Sequence, residues 1–225
     1  MSTVRKRPGH QRLTGVTYDT YTRLRAYSGN RGVRMAYHDG VLEIMSPELR
    51  HDRPSFRLML LVVAYCEAFG VTYDLTGSAT VRGGIPGRRK GHGKEPDQGV
   101  YLRDAAEAVA AQDAIDLATC PPPSLWVEVD NWGSSKAKLP LYAALKVPEV
   151  WRYRARSRKL RFGRLSGDHY EEIDASEALP GLTPEVVLDL LGAFKGRPTS
   201  AWKHWLETEW LPAHRQELMD RGAGR

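Results

Sequence analysis

An α/β fold, with a central mixed sheet flanked by helices, is what the sequence predicts, on three observations. Short segments of strand length and β-type composition are interleaved with segments of helical period. Residues 125–129 are almost continuously apolar, as expected of a strand buried on both faces. Two alternating segments flank Asp39-Gly40, a strong short-range hairpin signal.

Residues 1–16 read as a basic, poorly ordered tail. Residues 17–28 read as a short helix with Thr17 and Asp19 available as caps. Strands at 33–37 and 41–45 follow, joined by His38-Asp39-Gly40. From Pro54 the chain turns helical, with Phe56, Leu60, Val63 and Phe69 at near-helical spacing and Gly70 as a stop. Residues 71–74 and 78–82 read as strands, and 83–93, with five glycines and a proline, as a flexible loop. A strand at 97–102 and a helix at 104–112 lead to Pro121-Pro122-Pro123, a rigid approach to the buried strand. Residues 134–145 read as a helix, with Ser134 or Ser135 as N-cap and Pro140 near its first turn. Strands at 149–153, 159–165 and 170–173 form a meander broken by Gly163 and Gly167, and helices at 184–194 and 200–219 close the chain. The expected organisation is a tail at 1–16, a domain at 17–175 and a helical extension at 176–225.

At 225 residues the chain can bury a core without staples, and 41% hydrophobic against 27% charged residues is a soluble, globular composition. Cys66 and Cys120 lack C-x-x-C partners or a nearby histidine pair, which argues against a zinc or disulfide framework and fits a reducing, cytoplasmic setting. The longest apolar run, 58–65, is too short to span a bilayer, and no signal-peptide apolar region opens the sequence. The net charge of +6 is clustered: Arg5, Lys6, Arg7 and Arg12; Arg82, Arg88, Arg89, Lys90 and Lys94; and Arg152 through Arg164. Any one cluster is most simply a solvated face, but the second runs directly into Glu95-Pro96-Asp97, where it would neutralise a polyanion backbone.

Two acidic motifs carry the chemistry, Glu95-Pro96-Asp97 and Val127-Glu128-Val129-Asp130. Carboxylates at the ends of two strands can share a hard divalent ion while leaving positions for phosphate and water. Glu128 is the stronger signal, because a carboxylate in an apolar strand is costly to bury without a cation or another partner.

The succession Asp39 to Pro47 (DGVLEIMSP), Glu95-Pro96-Asp97, Val127-Glu128-Val129, Lys138 to Leu145 (KLPLYAAL) and Val147 to Tyr153 (VPEVWRY) resembles the Uma-two family of restriction-endonuclease-type proteins, within the PD-(D/E)XK nuclease superfamily. The resemblance covers residues 17–173 and implies a restriction-endonuclease-like core. It implies that Asp97 and Glu128 bind Mg²⁺ or Mn²⁺ and that Glu43 completes the site directly or through water. The superfamily lysine two residues after the second carboxylate is here Asp130, and Lys138 is its implied migrated substitute; Lys136 does not match the family position. Asp130 is left to join the metal shell or to pair with an arginine. Tyr142, one turn beyond Lys138, can hydrogen-bond a catalytic group or simply pack.

Each residue also has a plainer reading. Asp97 could be only a strand entry, Glu128 a buried partner for an arginine, Lys138 a solvated helix residue and Glu43 a cross-hairpin partner. His51, which follows the Ser-Pro as in the family, is more simply a cap or surface group. Trp202, Trp205 and Trp210 read as helix packing or a dimer contact rather than a base-stacking platform. The expected function is a metal-dependent endonuclease acting on DNA, with a two-fold homodimer by superfamily analogy. The alternative is a catalytically silent nucleic-acid-binding module of the same fold; a carboxylate-pair glycosidase is disfavoured by the basic balance and the motifs.

Overall fold

A computed structural model describes residues 10–30, 33–45, 49–84, 91–130, 135–193 and 196–223. Among these described residues, twelve strands are distributed over two mixed sheets. The first contains β1 (His10–Thr14), β2 (Arg34–His38), β3 (Val41–Met45), β5 (Val81–Gly84), β6 (Gly91–Lys94) and β8 (Ile115–Asp116), in the order β1-β3-β2-β6-β5-β8. The second contains β4 (Tyr73–Gly77), β7 (Gln98–Leu102), β9 (Leu125–Asp130), β10 (Glu149–Arg154), β11 (Lys159–Ser166) and β12 (His169–Ile173), in the order β12-β11-β10-β9-β7-β4. The helices are α1 (Tyr18–Ala26), α2 (Leu49–Phe69), α3 (Asp104–Val109), α4 (Leu139–Ala144), α5 (Pro184–Gly192), α6 (Thr199–Trp205) and α7 (Leu211–Ala223). A π-helical turn, Leu206–Trp210, joins the last two. None of the helices is long and apolar enough, among the described residues, to cross a membrane.

The mixed α/β architecture is as expected, with the strands divided between two sheets. The Asp39-Gly40 turn has positive φ at both residues, 42° and 86°, the signature of the type I′ hairpin that this dipeptide favours. Thr17 caps α1, its Oγ1 accepting from the Thr20 amide at 3.1 Å.

Four local readings need correction. Residues 10–14 of the expected tail form β1, which pairs antiparallel with β3; their polar composition suits an edge strand and conceals it. The glycine-rich loop is partly strand, because β5 and β6 extend into it, while residues 85–90 lie outside those described. The glycines of β6 make room for rings: a Cβ on Gly91 would lie 2.6 Å from the ring of Tyr18, and one on Gly93 would collide with Tyr21. The segment expected as one helix at 134–145 begins with a 3₁₀ turn, Ser135–Lys138, before α4, and Ser134 lies outside the described residues. Pro54, read as a helix start, lies inside α2.

The alternation of β9 divides the core. Leu125, Val127 and Val129 pack with Leu58, Leu61, Val62 and Tyr65 of α2, and with Leu206, Leu211 and Leu218 from the C-terminal helices. Trp126, on the opposite face, meets Tyr142 edge-on at 5.3 Å and packs with Leu141, Leu145 and Val150. Glu128 shares the Trp126 face. Trp202 is buried and donates from Nε1 to the Leu190 carbonyl at 2.8 Å, with Trp205 and Trp210 packed against the same core. The tryptophans are therefore helix packing.

Glu149 is a buried carboxylate with a structural assignment. It accepts from Trp151 Nε1 and Ser176 Oγ, both at 2.6 Å, on one oxygen, and from the amides of Glu177 and Ala178, both at 2.9 Å, on the other. Burial pushes its pKa up, and these donors oppose the rise. Glu149→Gln would turn an amide NH₂ against two donors whichever way it flips. A loss of about 2–4 kcal/mol is expected from the stranded donors, read as a lower midpoint in thermal and urea unfolding; an unchanged midpoint would refute the assignment.

Candidate active site between the two sheets

Antiparallel pairing of β7 with β9 sets Gln98 opposite Val127. One step beyond, the same register brings Asp97 opposite Glu128. Both are buried, at 4% and 5% exposure, and Asp97 Oδ2 accepts from the Val129 amide at 2.7 Å.

The first sheet brings the opposing charges. In its register Ala36 pairs with both Glu43 and Lys94, so that Arg34, Ala36, Glu43 and Lys94 belong to one face. Arg34 pairs with Asp97 Oδ1. Lys94, only 1% exposed, places Nζ 3.0 Å from Glu128 Oε1 and also donates to the Glu95 carbonyl. Glu95 itself is held by Arg25 Nε at 2.9 Å, Thr80 Oγ1 at 3.0 Å and the Met35 amide at 3.3 Å. Of the two acids in the Glu95-Pro96-Asp97 motif, Glu95 thus fastens the first sheet, while Asp97 meets the second.

Lys138 ends the 3₁₀ turn, with Nζ 3.6 Å from Glu43 Oε2. Asp130 anchors the start of that turn, accepting from the Ser135 amide at 2.8 and 2.9 Å and from its hydroxyl at 3.0 Å. The acid in the usual lysine position therefore positions the segment that carries Lys138. Lys136 is exposed.

The charges at the site act on one another. Burial raises the Glu128 pKa against the pull of Lys94, and Asp97 raises it further. Burial and the like charge of Lys94 lower that of Lys138, while Glu128, Glu43 and Asp97 oppose the fall. Tyr142 is raised well above its ordinary value by burial and then by Glu128 and Asp97. Asp97, Glu128, Glu43 and Lys138 thus lie within electrostatic reach of one another.

The three carboxylates do not converge as a set. Among the described residues, the one group of three acidic or histidine ligand atoms lying within 4.8 Å of each other is His38, Asp39 and His92. Asp97 and Glu128 nevertheless offer the hard anionic oxygens that Mg²⁺ or Mn²⁺ prefers, and each is held by a cation of the chain. In donor chemistry they fit such an ion.

Arg34 and Lys94 were not among the sequence-predicted site residues. Lys94 was visible only as one member of a basic cluster, although its place immediately before Glu95-Pro96-Asp97 was a signal. Arg88, Arg89 and Lys90 of that cluster, and Arg5, Lys6 and Arg7 of the first, lie outside the described residues. The third cluster is partly neutralised, with Arg161 on Glu172 at 2.8 Å and Arg164 on Glu171 and Glu177 at 2.8 and 2.9 Å. His51 lies in α2, and its side chain is outside those described.

No curated protein matches this chain. A solved structure from Anabaena variabilis ATCC 29413, described as a "putative nuclease belonging to DUF820", aligns with a TM-score of 0.48 and 13% identity, covering 77% of this chain and 98% of its own. Residues 18–193 match the family Uma2, described as "Putative restriction endonuclease". That match takes in Glu43, Asp97, Glu128 and Lys138 and well over half of the chain, which therefore belongs to the Uma2 family of restriction-endonuclease type.

Proposed function

We propose that this protein is a metal-dependent endonuclease that hydrolyses DNA phosphodiester bonds. Asp97 and Glu128 hold Mg²⁺ or Mn²⁺, Glu43 completes the acidic set, and Lys138 acts at the phosphate. The observation that carries this reading is the position of Lys138, 3.6 Å from Glu43 and within the field of Glu128 and Asp97. Its contact with Glu43 supports a lysine displaced from the usual motif position as the one that serves the acidic set.

When bound, the ion polarises a phosphoryl oxygen and lowers the pKa of a coordinated water. Lys138 orients the attacking water or stabilises charge developing on the phosphate. Asp130 fixes the turn that aims it. Arg34 and Lys94 neutralise the two buried carboxylates that would hold the ion. A two-fold homodimer would present two such centres to the two strands of a duplex.

The silent nucleic-acid-binding module is favoured by one observation: both buried carboxylates already have cationic partners. Incubating supercoiled plasmid with the protein and Mg²⁺ or Mn²⁺ separates the readings. Nicking or linearisation that is lost in Asp97→Asn and in Glu128→Gln supports the nuclease. Retarded but intact plasmid with wild type and variants alike supports the binding module.

A further inference from the structure

A second cluster lies on the same sheet face as the candidate site, toward the tip of the β2–β3 hairpin. His38 of β2 and His92 of β6 are direct cross-strand partners. Their Nδ1 atoms are 3.1 Å apart and their ring centroids 5.1 Å apart, with the planes tilted by 36°. Asp39 follows His38 in the type I′ turn, with Oδ2 4.0 Å from His38 Nε2. A ligand atom from each of the three residues falls within 4.8 Å of the other two.

We propose that His38, His92 and Asp39 form a binding site for a divalent transition-metal ion of the Zn²⁺, Co²⁺ or Ni²⁺ type, separate from the carboxylate centre. Two imidazoles opposite each other in a sheet are pre-positioned by the backbone, so little ordering entropy opposes their joint use. Nitrogen donors 3.1 Å apart can both reach an ion at the usual zinc–imidazole distance of about 2.0–2.1 Å. Two imidazoles and one carboxylate favour borderline metals over Mg²⁺ and leave a coordination position for water or a ligand. The site is reachable, since the His38 and Asp39 side chains are 36% and 57% exposed.

Its place in the fold is specific. His92 and Lys94 are two residues apart on one strand, so they project from the same face roughly 7 Å apart at the usual strand rise. The proposed ion would sit beside the acidic centre, sharing a sheet with it but none of its ligands. Only the backbone register makes the cluster, which is why two histidines far apart in sequence gave no zinc-like spacing.

The test is titration of the full-length protein with Co²⁺, followed by visible absorption and calorimetry. With millimolar Mg²⁺ present to occupy the carboxylate centre, one equivalent of Co²⁺ should still bind with d–d bands of a low-coordinate nitrogen and oxygen site, and Zn²⁺ should displace it. His92→Ala and His38→Ala should each weaken this binding at least 100-fold and Asp39→Asn about 10-fold, while the exposed Lys136→Ala should leave it unchanged. Proton NMR of the Co²⁺-loaded wild type gives a check that needs no variant: two imidazole rings should show paramagnetically shifted signals. Absence of saturable Co²⁺ binding, shifted signals from fewer than two imidazoles, or undiminished binding in folded His92→Ala would overturn the proposal.

Discussion

Replacing Lys94 with methionine is expected to lower the stability of the ion-free protein by about 3–5 kcal/mol, the usual cost of removing one partner from a buried ion pair. Lys94 is 1% exposed and its ammonium stands 3.0 Å from a Glu128 oxygen. Methionine keeps most of the stem volume and leaves the carboxylate without that charge. Glu128 would then take up a proton more readily, since burial already raises its pKa and Lys94 is the main group pulling it down. For a raised carboxylate the sign is fixed: stability is retained at low pH and lost as pH rises through the folded pKa. Lys94→Met should therefore melt progressively lower than wild type as the solution moves from acid to neutral. At pH 7 the drop should be on the order of 10 °C for a chain of this size. Lys94→Met/Glu128→Leu should recover most of the loss, because an apolar pair of similar volume is often no worse than a buried ion pair. If single and double variants melt alike at every pH, the pair contributes nothing and the account of Glu128 fails.

Lys138→Ala is expected to reduce plasmid cleavage by about 10²–10³-fold while leaving DNA binding within a few-fold, the magnitude usual for losing one group that stabilises transition-state charge. The fall should lie in kcat, since the ammonium acts on charge that develops during the reaction. Lys136→Ala is the internal control, because Lys136 is exposed and lies on the same short turn. Asp130→Ala should give an intermediate loss by releasing Ser135, and with it the turn that carries Lys138. Equal activity in Lys138→Ala and wild type would remove Lys138 from the mechanism; equal losses in Lys136→Ala and Lys138→Ala would point to the turn rather than to the ammonium.

How much of this was legible in the sequence depended on whether the information was local. The Asp39-Gly40 turn, the Thr17 cap, β9 and the closing meander all follow from propensity and period within a few residues. The short edge pairings of β1 and β8 do not, because polar or two-residue strands exist only through the partner that accepts them. Asp97 and Glu128 stood out because acids beside an apolar strand are conspicuous. Arg34 and Lys94 did not, because their significance depends on how one sheet is laid against the other. The same limit hid the histidine pair.

The weak strand β6 has a consequence for how the chain selects among its possible pairings. Gly91-His92-Gly93-Lys94 offers almost no apolar side of its own, and such a segment is prone to slide along its neighbour. A one-residue shift would turn Lys94 away from Glu128, strand two buried charges and drive the glycine positions off the Tyr18 and Tyr21 rings. The polar cluster between the sheets therefore disfavours misaligned arrangements through uncompensated charge. A mutation that softened this penalty would yield a heterogeneous population before it yielded an unfolded one.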